Sequence, residues 1–236
     1  MHNGLASEGV SLHWHGLQMR EHNDMDGALG FTQCPIPSGQ NLTYDFKIGD
    51  DEHGTFWWHS HAEVQRGDGL YGGLVVHKPG DAENYDEALL LAGDWFHRKQ
   101  TDILQWYHDW KSLGNEPVPD SLVLNGQGRF DCTRALPSRP IECIEQRSAD
   151  ILPLFKKRLQ RPVKLRLVNT GTVTGLSFAA DAASLQPIAV DGGFPVKGNR
   201  SRSFGILYPG ERADVIVFPE AEESSDTAFH IHLDKE

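Results

Sequence analysis

The sequence predicts an all-β protein of the sandwich or Greek-key barrel kind. Apolar and polar residues alternate with a period of two in several segments, as expected for strands with one buried face. Turn residues such as Pro37-Ser38-Gly39 and Pro209-Gly210 separate these segments. One further segment has its apolar residues at helical spacing, so one short helix is expected beside the strands.

The predicted strands follow one another along the whole chain. Alternation is clearest at residues 10–14, 43–48 and 163–167. Short apolar runs predict inner strands, and these runs are residues 74–76, 89–91 and 215–217. The helical segment covers residues 101–113, and its apolar residues are Ile103, Trp106, Tyr107, Trp110 and Leu113.

A polar stretch at residues 78–87 predicts a boundary between two β domains. The expected units are residues 1–80 and residues 86–236. The chain length of 236 residues agrees with this division, because it suits one large domain or two small ones.

Composition argues against several classes of function. Lysine and arginine number 22 and aspartate and glutamate 33, so the net charge is −11, whereas surfaces that bind nucleic acid are basic. No apolar run approaches the roughly 20 residues of a membrane-spanning helix. The first residues show no basic start followed by an apolar stretch, so no signal peptide is visible. The protein is therefore expected to be cytosolic or to lack its true beginning.

Two His-x-His triplets give the strongest chemical signal in the sequence. They are His13-Trp14-His15 and His59-Ser60-His61. Residues i and i+2 of a strand project from the same face, so each triplet presents two imidazoles side by side. Two such strands brought together would collect four imidazoles, a ligand type that suits copper, zinc, iron and nickel. One triplet alone is weak evidence, but two in aromatic and glycine-rich surroundings predict a metal site.

The two triplets lie within a series of longer sequence blocks. The blocks begin with Ser11-Leu12-His13-Trp14-His15-Gly16-Leu17, Met25-Asp26-Gly27, Gly54-Thr55-Phe56-Trp57-Trp58-His59-Ser60-His61 and Asp68-Gly69-Leu70-Tyr71-Gly72-Gly73-Leu74, and they continue through Gly93-Asp94-Trp95, Val190-Asp191-Gly192-Gly193 and Tyr208-Pro209-Gly210-Glu211-Arg212. In these blocks the chain resembles the multicopper oxidases, a family that includes laccases, ascorbate oxidases and ferroxidases. The similar blocks occur in order and at similar spacing over nearly the whole chain. Residues 125–132 are most similar to the ascorbate-oxidase-like and fungal laccase-like branches.

The resemblance implies tandem cupredoxin-like domains, usually three, and a copper-dependent oxidoreductase. Such an enzyme takes single electrons from a phenol, ascorbate or metal-ion substrate and reduces dioxygen to water at a trinuclear copper cluster. By motif, His13 would bind the type 2 copper, and His15, His59 and His61 the type 3 pair. Asp26 matches an acid near the cluster that would orient bound water and relay protons. The alternative for Asp26 is that Asp-Gly simply forms a turn.

The sequence also departs from the family pattern. It contains no His-Cys-His block, whose thiolate is the soft ligand of a type 1 copper. We therefore expect a truncated chain that lacks a third domain and is inactive alone. The alternative is a non-catalytic β-domain protein with a vestigial or partial copper or zinc site. A third triplet, His230-Ile231-His232, could bind metal by the same strand geometry, but its position carries no copper in the family.

The resemblance also implies a secreted parent protein. Similar cysteines pair in the ascorbate-oxidase-like branch, so a Cys132–Cys143 disulfide is plausible and Cys34 would be left over. The alternative is three free thiols in a cytosolic chain. Two glycosylation sequons, at Asn41 and Asn199, suit a secreted protein.

Overall fold

The computed structural model describes residues 1–78, 85–137, 142, 161–220 and 228–234. Within these ranges the chain is mostly β-structure, so the predicted all-β class is confirmed. The strands are β1 Leu12–His15, β2 Gly54–Ser60, β3 Tyr71–Val76, β4 Asp86–Trp95, β5 Ser121–Leu124, β6 Gln127–Gly128, β7 Val163–Asn169, β8 Leu176–Ala180, β9 Ala183–Val190, β10 Phe194–Pro195, β11 Ser203–Leu207, β12 Arg212–Pro219 and β13 Phe229–Leu233. Short 3-10 turns lie at Asn23–Met25, Trp110–Ser112 and Cys132–Arg134.

The first sheet is antiparallel, with strand order β1-β2-β3. Predicted strand 43–48 forms no ladder among the described residues, so that part of the prediction is wrong. Its burial nevertheless alternates as predicted, because Phe46 and Ile48 pack on the core around Phe56. The hydroxyl of Tyr44 accepts a hydrogen bond of 2.9 Å from the amide of Leu12. The alternating pattern therefore correctly indicates which side chains are buried. The Tyr44 hydroxyl, and not a backbone carbonyl of a paired strand, accepts the hydrogen bond from Leu12.

A larger β-sandwich forms the rest of the described chain. Its seven-stranded sheet has the order β10-β9-β12-β7-β4-β5-β6, and its three-stranded sheet the order β11-β8-β13. Strands β4 and β7 pair in parallel. The apolar core is fully buried and includes Leu165, Leu176, Phe178, Val215 and Val217. The predicted runs at 89–91, 163–167 and 215–217 lie in β4, β7 and β12.

The predicted helix begins as expected but ends early. Helix α1 covers Gln100–His108 and then stops, because Asp109 has an extended backbone with ψ of 137°. The Asp109 carboxylate accepts a hydrogen bond from the Lys111 amide and starts a separate 3-10 turn. Consequently Ile103 is buried, but Trp110 and Leu113 are 79% and 81% exposed. The prediction of one amphipathic helix through residue 113 is wrong at this end.

A buried ionic network joins the first sheet to the sandwich. Arg166 of β7 donates hydrogen bonds of 2.7 Å to Asp214, 2.8 Å to Glu87 and 3.0 Å to the hydroxyl of Thr55. Thr55, on β2, donates a further bond of 2.5 Å to Asp214. Burial raises the pKa of Asp214, and the Arg166 charge opposes that rise. Since β2 also carries the second histidine triplet, this network fixes the strand on which the predicted site depends.

The structure distinguishes the bonding states of two of the cysteines. Cys132 is disulfide-bonded, whereas Cys34 is a free, exposed thiol. Cys143, the predicted partner of Cys132, lies outside the described residues. Among the described residues, no helix combines the length and the apolar character that a membrane span requires.

Candidate metal centre

Strands β1 and β2 bring the two predicted histidine triplets together. Their register places His13 opposite His59 and His15 opposite Trp57. We call the surface formed by His13, His15, His59 and His61 the histidine face. One nitrogen from each of His13, His15 and His59 lies within 4.8 Å of the others. His61 follows β2, and its ring centroid lies 5.4 Å from that of His13 and 6.1 Å from that of His59. All four predicted imidazoles therefore converge, with His61 at the edge of the group.

Contacts at Nδ1 orient the imidazoles of His13 and His59. His13 Nδ1 lies 3.1 Å from a carboxylate oxygen of Asp26 and 3.0 Å from its carbonyl oxygen. His59 Nδ1 lies 2.9 Å from the carbonyl oxygen of Ser60. Both contacts leave Nε2 for a ligand, as is usual for metal-binding histidines. His15 instead directs Nδ1 toward His59 Nε2, at 3.3 Å.

Burial keeps two of the imidazoles in the form that binds metals. Burial, followed by the charge of Arg212, lowers the pKa of His15 to about 3. Burial likewise lowers the pKa of His59 to about 4, although a hydrogen bond to the Ser60 carbonyl opposes the change. Neutral imidazole has the free lone pair that a metal ion requires. The donor set and its protonation state therefore fit copper, and on residue type they also fit zinc.

Asp26 fits both alternatives that the sequence left open, because it contacts a predicted ligand and also takes part in an Asp-Gly turn. Its carboxylate contacts His13, and the following Gly27 has a positive φ of 78°. A Cβ atom at Gly27 would overlap the carbonyl oxygen of Leu12. The turn therefore packs directly on β1, and this close approach allows Asp26 to reach His13.

The free energy of unfolding should be lower in Gly27→Ala than in Gly30→Ala by at least about 1 kcal/mol. The reason is that the methyl group added at residue 27 would clash with backbone atoms of β1. The two glycines have the same φ of 78°, but nothing lies within 4 Å of a Cβ at Gly30. Both variants therefore carry the same left-handed strain, and their difference isolates the overlap. Urea unfolding measures it. Equal destabilisation would show that residues 26–27 do not pack on β1 as described.

Aromatic and cationic side chains complete the surroundings of the histidine face. Trp57 is fully buried, and its ring centroid lies 4.9 Å from that of His15 and 4.5 Å from that of His59. Trp14, in contrast, packs against Tyr44 and Phe46 on the opposite face of β1. Trp57 therefore lies beside the imidazoles, whereas Trp14 lies on the other side of β1.

Two arginines near the histidine face were missed by sequence reasoning. Arg212 donates hydrogen bonds to the carbonyl oxygen of Thr55 and to Asp191, at 3.2 and 3.1 Å. Arg66 lies in the loop after His61, with its guanidinium carbon 5.9 Å from the Trp57 ring centroid. Arg212 stands inside a block that resembles the family, which is a usable signal. We find no sequence signal for Arg66.

The third His-x-His triplet lies apart from this group. His230 and His232 stand on β13, with their rings stacked at 6.3 Å. His230 is paired with Asp181 at 2.7 Å, and both side chains are well exposed. No third ligand joins this pair closely enough to form a three-ligand group within the described part of the chain.

The fold and the histidine face together define a β-sandwich protein with a cluster of imidazoles of the kind that can bind a metal ion. Two family profiles, both described as multicopper oxidase, match residues 1–81 and 86–233. The chain belongs to the multicopper oxidase family. Copper is the cofactor of this family, whose members use dioxygen and a reducing substrate.

Individual relatives agree with this membership. The chain is 32% identical to dihydrogeodin oxidase of Aspergillus terreus, over 98% of this chain and 36% of the relative. It is 38% identical to a laccase of Arthroderma benhamiae, over 80% of this chain and 27% of the relative. The crystal structure of a laccase from Botrytis aclada superposes with a TM-score of 0.76 at 32% identity, over 94% of this chain and 39% of that one. The chain thus spans about a third of the length of such relatives.

Proposed function

We propose that this chain supplies half of the ligands of a trinuclear copper cluster, at which an oxidase reduces dioxygen to water. The convergence of His13, His15, His59 and His61 on one face of the β1–β2 pair carries the proposal. His13 would hold the type 2 copper, and His15, His59 and His61 the type 3 pair. Copper bound there would accept electrons one at a time and pass them to dioxygen.

The surrounding residues have distinct parts in this proposal. Asp26 holds Nδ1 of His13, which fixes the ring so that Nε2 points away from the turn. Asp26 is partly exposed, with 26% of its side chain accessible, so solvent can reach its carboxylate, as a proton-relay function requires. Trp57 covers His15 and His59 and excludes water from that side. The contact between Asp26 and His13 and the exposure of Asp26 support the orienting and proton-relay function proposed for this residue.

We propose that electrons come from a small reductant of the phenol, ascorbate or metal-ion type. Membership of the multicopper oxidase family supports a reducing substrate. We also propose two cupredoxin-like units, residues 1–80 and 86–236, with a third unit supplying the type 1 copper. An extracellular location is part of the proposal, and it is supported by the disulfide at Cys132 and by the exposure of both sequon asparagines, Asn41 and Asn199.

Copper loading of the full chain tests the proposal. Bound Cu(II) should show several imidazole nitrogens in its electron paramagnetic resonance spectrum. The chain should show no strong blue absorption and should not oxidise a phenol, because its sequence has no His-Cys-His block. Two outcomes would contradict the proposal. One is strong blue colour with phenol turnover, and the other is preferential retention of zinc with no nitrogen-ligated copper.

A further inference from the structure

Arg66 connects the histidine face to the sandwich. Its Nη1 donates a hydrogen bond of 2.6 Å to the carbonyl oxygen of Gly171, in the loop that follows β7. Its guanidinium carbon lies 5.9 Å from the Trp57 ring centroid, within the range of a cation–π contact. Trp57 in turn stacks on His15 and lies at a tilt to His59, with ring centroids 4.9 and 4.5 Å apart. Arg66 and these two imidazoles therefore contact the same aromatic ring.

Arg66 interacts with one carboxylate, that of Asp94, but forms no direct ion pair with it. No ion pair found within the described ranges includes Arg66, and Asp94 is the carboxylate that favours its charged form. Asp94 is itself occupied by hydrogen bonds from Thr172, Val173 and Thr174. Arg212, the second arginine near the site, is paired with Asp191 at 3.1 Å.

We infer that Arg66 is a positioning residue whose charge, held against Trp57, favours Cu(I) over Cu(II) at the histidine face. The inference rests on the proposed function, because it requires copper at these imidazoles. A fixed positive charge repels a doubly charged ion more strongly than a singly charged one. Arg66 therefore raises the reduction potential of copper bound there.

Charge and hydrogen bonding can be separated by substitution. Arg66→Lys keeps the charge, whereas Arg66→Gln removes the charge and keeps a donor for Gly171. At an effective dielectric constant of about 20, losing a unit charge about 10 Å away should raise the Cu(II)-to-Cu(I) affinity ratio roughly tenfold. We expect that increase in Arg66→Gln and again in Arg66→Met, and we expect Arg66→Lys to stay within about twofold of the wild type.

The measurement is competition of the full chain against chromogenic chelators specific for Cu(I) and for Cu(II). The matched control is Arg202→Gln, because Arg202 is an exposed arginine paired with Glu220 in the sandwich. This control should leave the ratio unchanged. An unchanged ratio in Arg66→Gln would overturn the inference, as would a change confined to Arg66→Met, or an equal change in Arg66→Lys. If the wild type binds neither Cu(I) nor Cu(II), the proposed function itself fails. If the wild type binds both ions but the Arg66→Gln ratio is unchanged, only the inference about Arg66 fails.

Discussion

Replacing His59 with alanine is expected to cause the largest loss of metal binding in this protein. His59 is 9% exposed, lies opposite His13, and belongs to the group of three nitrogens within 4.8 Å. Changing a residue that only orients a ligand typically weakens metal binding by about 10–100-fold, and loss of a ligand should exceed this range. Copper affinity measured by chelator competition gives the result.

His232→Ala is the matched control for this experiment. His232 also belongs to a His-x-His triplet on a strand, but it lies on β13, outside the histidine face. Copper affinity of the tightest site should therefore be unchanged in this variant. If His59→Ala keeps wild-type affinity while His232→Ala loses it, the site has been assigned to the wrong triplet. Thermal melting without metal checks that both variants fold.

Replacing Arg166 with methionine is expected to cause the largest loss of stability. The Arg166 side chain is 5% exposed and that of Asp214 is 7% exposed. Removing one partner leaves the other charge buried and unpaired, which typically costs about 3–5 kcal/mol. Arg161→Met is the control, because Arg161 is 71% exposed and paired with Asp86, and an exposed pair is worth about 0–1 kcal/mol. Urea unfolding measures both variants.

The pH dependence of Arg166→Met gives a further check on the same network. Arg166 opposes the rise that burial causes in the pKa of Asp214, so the variant should raise that pKa further. The folded state would then bind a proton more tightly than the unfolded state, whose Asp pKa is about 3.9. The variant should therefore regain stability as the pH falls from neutrality toward that value. A deficit that is constant over this range would contradict the assignment of the lost energy to Asp214.

The sequence predicts which histidines come together better than it predicts what surrounds them, for a physical reason. His13 and His15 share a strand face, as do His59 and His61 in their triplet, so local spacing is enough to identify them. Arg66 reaches the site through contacts with Trp57 and Gly171. The Gly171 contact depends on how separate segments pack together, which no local pattern records.

The same distinction explains the errors in the fold prediction. Burial alternates along residues 43–48 as expected, but ladder formation requires a partner strand, and alternation says nothing about one. Helical spacing predicts α1, yet Asp109 ends it by accepting a hydrogen bond from the Lys111 amide. Trp110 is consequently left 79% exposed. In both segments the local pattern correctly predicts which residues are buried or helical at first. Whether residues 43–48 form a ladder, and where α1 ends, depends on contacts that the pattern does not contain.

Anomalous diffraction at the copper edge, from crystals of the copper-loaded chain, would locate bound copper. We expect a peak on the histidine face, with Nε2 of His13, Nδ1 of His15 and Nε2 of His59 directed toward bound metal. Metal–imidazole bonds are about 2.0–2.1 Å long, so a peak at that distance from these nitrogens would agree with this expectation. A peak on His230 and His232, with none on the histidine face, would contradict it.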